Sequence, residues 1–226
     1  VKFENYRKII LRHSNKCANR FRPMVDELKR IGIFDLPNMA YHLDEVSNHN
    51  SFFDVLDEIA NDISEPDATY LILEDDIRFL KDIDKLHSIF ETAPDDKYDL
   101  INFDPFIYLD AQTIIEMRRQ YKTFAPMNVC IYSASCISIK KRIAPIICSV
   151  LRKNQGIPPD HKFIFRNPAY KSCFSLTNAG IQLLYRGCSN MEHGWAKAHH
   201  QNYKRAGIRY SDYAVPDGYD YGSVVQ

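Results

Sequence analysis

Three adjacent carboxylates, Glu74-Asp75-Asp76, stand directly after the apolar run 68–73. Each close pair of like charges costs about 1 kcal/mol in water and about 4 kcal/mol at an effective dielectric of 20. At the mouth of a buried strand such a triplet must be solvated, partly protonated or neutralised by a cation. Oxygen-only donors suit hard ions such as Mg2+ and Mn2+, which are commonly shared between one or two carboxylates and the phosphates of a ligand. Read alone, Glu-Asp-Asp is also an ordinary solvated turn. A second strand-like run, 98–103, again ends in a carboxylate, Asp104, and the repetition favours chemistry. Asp104 itself reads either as an Asp-Pro turn or as a polar contact for a ligand. Side chains alternate along a strand, so Glu74 and Asp76 are expected to project together while Asp75 points away, unless a turn intervenes at 75.

The elements that must hold these groups are legible from periodicity. Residues 7–11 and 39–43 read as strands. The spacing of Phe21, Met24, Val25, Leu28 and Ile31 predicts a helix over 20–31, starting near 21 because Pro23 fits only a first turn. Phe52, Val55, Leu56, Ile59, Ala60 and Ile63 predict a second helix over 51–63. The run 68–73 lacks alternation, as a strand covered on both faces would. Strand pieces follow at 129–139. Ile143, Ile146, Ile147, Val150 and Leu151 mark a helix over 142–154. Strands alternating with helices imply an α/β fold with a mostly parallel sheet, whose ligands bind beyond the carboxyl ends of the strands. We expect a single domain over 1–226, with a core at 7–190 and an irregular tail or lid at 191–226.

Composition narrows the function. Lys and Arg number 29 against 29 Asp and Glu, so the chain carries no one-sided charge of the kind that drives nucleic-acid binding. Its 45% hydrophobic residues suit a folded globular domain. Only 8 glycines are present, and neither GxxxxGK[ST] nor GxGxxG occurs. A GxSxG nucleophile elbow is also missing. Six cysteines without a CxxC pair read as reduced, mostly buried thiols in a cytoplasmic protein, with up to three disulfides as the alternative. No apolar run is long enough to span a bilayer, and no signal-peptide pattern precedes the first strand. The chain starts at Val1, so a leader, tag or membrane anchor ahead of it is an expectation, as is peripheral attachment to a membrane.

Four elements in order resemble nucleotide-sugar glycosyltransferases of the GT-A architecture, and more narrowly glycosyltransferase family 25, the lipopolysaccharide-type enzymes. They are KIILRHSNKCANRFRPMVDELKRIGI with Arg20, YLILEDDIRF at 70–79, SASCISIKKRIAPII at 133–147, and IPPDHKF with Asp160. The first strand ends in Leu11-Arg12-His13, where the family has a different wording, and Phe103-Asp104-Pro105 replaces its usual Leu-Gly. The resemblance implies a GT-A-like fold and transfer of a hexose, with inversion, from a nucleotide sugar (UDP-linked in that family) to a saccharide acceptor. It also implies Mn2+ or Mg2+ on Asp76, with Glu74 and Asp75 completing the metal shell or orienting the ribose.

By the same resemblance Asp160 is the base toward the acceptor hydroxyl, with His161 as a weaker substitute; read alone, Asp160 is a helix N-cap. Arg20, Lys140 and Lys141 read either as diphosphate contacts or as solvated charges. Trp195 could stack on a sugar ring, and His193 or His199 could add a late metal ligand. Two other classes stay open: a non-catalytic carbohydrate- or nucleotide-binding protein on this scaffold, and a metal-dependent phosphotransferase or nuclease using Glu74, Asp76 and Asp104.

Overall fold

The computed structural model describes residues 2–14, 18–44, 48–107, 110–128, 131–154, 162–183, 201–217 and 219. Among the described residues, seven strands form the central sheet: β1 (Lys8–Ser14), β2 (Met39–Asp44), β3 (Thr69–Glu74), β5 (Leu100–Asn102), β7 (Phe124–Pro126), β9 (Cys136–Lys140) and β10 (Ser172–Ser175). Their order is β2-β1-β3-β9-β5-β10-β7. Strands β2, β1, β3, β5 and β10 share one direction, while β9 and β7 run against it. Two small ribbons stand apart, pairing β4 (Ile77–Phe79) with β11 (Gly180–Gln182) and β6 (Phe106–Ile107) with β8 (Ile131–Tyr132). The expected α/β architecture, a mostly parallel sheet flanked by helices, is what the chain adopts.

Strand β3 explains the unalternating run. Leu71 and Leu73 pack into one core with Ile9, Leu11, Met24 and Leu28. Tyr70 and Ile72 pack into the other with Ile10, Phe52, Ile59, Ile137 and Ile147. Side chains alternate between faces, and both faces are covered, so every position from Thr69 to Leu73 is buried. Fully burying each large side chain contributes about 1.5–3 kcal/mol. Helix α1 (Ala18–Arg30) and helix α3 (Ile83–Glu91) serve the first core; α2 (Asn48–Asn61) and α5 (Ala144–Lys153) serve the second. Asp82 caps α3 by accepting the Lys85 N–H at 3.0 Å, and Asp110 caps α4 (Ala111–Tyr121) by accepting that of Thr113 at 2.8 Å. A short helix, α6 (Lys162–Phe165), adds Ile164 and Phe165 to the second core.

Several boundaries differ from expectation. Helix α1 begins at Ala18, so Pro23 lies inside it and one intrahelical hydrogen bond is missing. Tertiary contacts outweigh that loss, because the added turn brings Arg20 onto the buried face with Met24, Glu27 and Leu28. Helix α2 ends at Asn61, leaving Ile63 94% exposed rather than in register with Ile59. Strand β10 lies within the sheet, in a stretch where no strand is expected. Its four residues between turn signals are too short for a period to show.

Candidate active site

The antiparallel course of β9 assembles the site. Its amino-terminal end, preceded by Ser133 and Ser135, arrives where β1, β3 and β5 end. Arg12 and His13 from β1, Glu74 from β3, and Asp104 after β5 therefore meet at one sheet edge, together with the turn that carries Asp75 and Asp76.

The three carboxylates are tied together. Arg12 Nη1 donates to Glu74 Oε1 over 2.9 Å and its guanidinium lies 5.3 Å from the Phe52 ring centroid. His13 Nδ1 is 2.8 Å from Asp75 Oδ2. Arg20 Nη1 donates to Asp75 Oδ1 at 3.3 Å and to Asp76 Oδ2 at 3.2 Å. Gln182 Nε2, arriving on β11, donates to Glu74 Oε2 at 3.3 Å and to Asp76 Oδ2 at 3.2 Å. The expected divergence of Asp75 from its neighbours does not occur. Strand β3 stops at Glu74, and the turn at 75–76 breaks the alternation.

Burial raises Asp76 above the ordinary carboxylate range, with Arg20 opposing the shift and the Asp75 charge adding to it. Its second oxygen, Oδ1, is buried and accepts no hydrogen bond. A buried acceptor in that state needs a proton or a cation. Among the described residues no three His, Cys, Asp or Glu side chains form a metal cage. One or two carboxylate oxygens still fit a hard ion completed by phosphates, which is how Mg2+ is usually bound.

Asp104 is enclosed rather than open to a sugar at the sheet edge, and no part of it is exposed. Burial pushes it up to about 7, against the hydrogen bonds of Ser135, Asn178 and Ser133. Lys140 and Lys141 lie at the far end of β9, four residues beyond Cys136 or more and so roughly 14 Å from this edge. Lys141 Nζ donates to Ser64 O at 2.8 Å, and Lys140 Nζ is 3.9 Å from Asp67. Because β9 is antiparallel, neither lysine serves a diphosphate beside Asp76. Asp160, His161, His193, Trp195 and His199 lie outside the described residues. Cys136, Cys148 and Cys173 are buried free thiols.

Sequence reading missed Arg12, His13 and Gln182. A signal for the first two existed, since basic residues closing an apolar strand mirror the carboxylates that close β3. Gln182 carried none.

No family model and no curated protein matches the chain. Solved structures do. A glycosyltransferase involved in the glycosylation of the major capsid of PBCV-1 superposes with a TM-score of 0.51 at 13% identity, covering 89% of this chain and 98% of that one. Mouse xyloside xylosyltransferase 1, in its apo form, gives a TM-score of 0.41 at 9% identity, covering 90% and 93%. The first of these shows the fold: the chain shares the GT-A-like α/β architecture of that structure. The likeness reaches that architecture and not family 25 in particular.

Proposed function

We propose that the chain is a metal-dependent, inverting glycosyltransferase. It moves a hexose from a nucleotide sugar, UDP-linked by the family resemblance, to a saccharide acceptor in the making of lipopolysaccharide or another cell-surface glycan. The observation that carries this reading is the carboxylate edge itself, where Asp76 keeps a buried oxygen without a partner beside Glu74, Asp75 and Arg20. Asp76, with Glu74, would hold Mn2+ or Mg2+, which as a Lewis acid neutralises charge on the departing nucleoside diphosphate. Arg20 and Asp75 would orient the donor nucleotide. Asp160 takes the acceptor proton, with His161 as its substitute; Trp195 and His193 are weaker sugar contacts in this scheme. A cytoplasmic enzyme, free or attached at a membrane surface, fits the reduced thiols. Among the described residues no helix is long and apolar enough to cross a membrane.

The test is a screen for nucleotide release from UDP-, GDP- and CMP-sugars with Mn2+ present. Release from one donor class is expected, abolished by chelation and reduced about 100-fold or more by Asp76→Ala. If no donor is turned over and UDP with Mn2+ leaves the melting temperature unchanged, the reading is wrong. Nucleotide binding without release would favour a binding protein on the same scaffold.

A further inference from the structure

Asp104 is a fully buried carboxylate for which sugar transfer offers no direct task. Its Oδ2 accepts from Ser135 Oγ at 2.5 Å and Ser133 Oγ at 3.2 Å. Its Oδ1 accepts from Asn178 Nδ2 at 3.1 Å and from the Tyr203 hydroxyl at 3.4 Å. The cradle is set by the backbone as well. The Asp104 N–H donates to Asn102 Oδ1 at 2.9 Å, and Asn102 Nδ2 donates to Ser133 O at 2.7 Å. Ser133 has φ 76°, a left-handed conformation that a non-glycine residue keeps only where its surroundings over-determine it.

From this cradle the contacts lead outward to the carboxylate triplet. The Tyr203 hydroxyl, while donating to Asp104, accepts the Gln182 N–H at 3.1 Å. Gln182 then bridges Glu74 and Asp76 through Nε2. Asn178 joins the same cluster from the other side, since its carbonyl accepts the Tyr213 hydroxyl at 3.2 Å. Tyr203 and Tyr213 are both buried in the first core. Nearby, the Lys81 N–H donates to Asp212 O at 2.8 Å and the Ala214 N–H to Phe79 O at 2.9 Å. The described part of the C-terminal segment is therefore held to the body by these backbone bonds and, through the Tyr203 hydroxyl, by the buried Asp104 carboxylate.

We infer that Asp104 is a positioning residue: it fixes the Tyr203 hydroxyl, Tyr203 fixes β11 at Gln182, and Gln182 sets the orientation of Glu74 and Asp76. The assignment rests on reading Glu74–Asp76 as the donor site. It makes docking of 201–213 and the shaping of that site a single event. By linkage, a cation or nucleotide that favours the ordered carboxylates also favours the docked segment, and the reverse.

The experiment uses the full chain with Tyr203→Phe, which keeps the ring in the core and deletes its hydroxyl, and with Asp104→Asn. Two quantities are read: hydrogen exchange of the Gln182 amide in ligand-free protein, and the affinity for Mn2+ alone. Exchange at Gln182 is expected to rise tenfold or more in both variants. Mn2+ affinity is expected to fall about tenfold in each, and by no more in the double variant, because residues in one hydrogen-bond network are not additive. A role in packing alone would lower stability and leave Mn2+ affinity untouched. Unchanged Gln182 exchange in folded Tyr203→Phe overturns the inference. Should wild type bind no Mn2+, the proposed function loses its metal, while Gln182 exchange still decides the positioning role. Should Asp104→Asn fail to fold, Tyr203→Phe decides by the same two readings.

Discussion

Arg20 Nη1 lies 3.2 Å from Asp76 Oδ2, although 56 positions separate the two residues along the chain. The contact depends on α1 beginning at Ala18, ahead of Pro23, so a locally unfavourable proline position serves a distant ion pair. Both partners are buried, which sets how strongly each needs the other.

Replacing Arg20 with methionine keeps the bulk and removes the cation. Breaking a buried pair from one side strands the remaining charge, at about 3–5 kcal/mol. Urea unfolding of Arg20→Met at pH 8 is expected to show a loss in that range, because Asp76 then stays charged without its cation. The loss should shrink at pH 5, where that proton is available. An equal loss at both pH values would mean that Asp76 is not the stranded charge.

The ligand-free protein should become less stable as pH rises from 5 to 7. Asp104 is raised to about 7 by burial, so the folded state binds a proton that the unfolded state has already lost above its ordinary value near 4. Stability therefore falls across that window and levels off above it. Asp76 shifts in the same direction. Asp62 shifts the other way, held low by the Tyr70 hydroxyl and Arg7, so its contribution is lost only in more acidic solution. Calorimetry from pH 5 to 8 should show a falling melting temperature, with a flatter profile in Asp104→Asn.

Gly180 on β11 has no room for a methyl group. A Cβ there would lie 2.6 Å from Ile77 Cδ1, 2.7 Å from Ile77 Cγ1 and 3.2 Å from Arg78 O. Ile77 is itself fully buried, so β11 must shift in Gly180→Ala, at about 1–3 kcal/mol of stability. Gln182 would move with it, and Mn2+ affinity should fall alongside. Wild-type stability in this variant would show that the β4–β11 ribbon yields freely.

Ile59 and Ile63 belong to one apolar stripe in the sequence and to opposite environments in the fold. Ile59→Ala should cost about 2–5 kcal/mol, since the residue is fully buried. Ile63→Ala should stay within about 0.5 kcal/mol, since the side chain is 94% exposed. Chemical denaturation of the two variants checks where α2 ends.

Much of the scaffold was legible in one dimension. The unalternating run of β3 announced a strand covered on both faces, and the stripes Phe52–Ile59 and Ile143–Leu151 announced the helices that cover one of them. These signals survive because each repeats with the period of its own element. The short strands β4, β7, β10 and β11 span four residues or fewer, which is too brief for a period to stand out from the background.

The site divides along the same line. That carboxylates close β3 and β5 is a fact of order along the chain, and so is their place at the carboxyl ends of parallel strands. Which groups neutralise them is not. Arg12, Arg20 and Gln182 come from three separate elements, and Asp104 is buried because β9 runs antiparallel between β3 and β5 and delivers Ser133 and Ser135 to its side chain. Local periodicity encodes what each segment becomes. Pairings across 50 to 100 residues depend on strand order and direction, which no single segment carries, so only the folded chain decides which charges are shared, which are stranded and which are sealed from water.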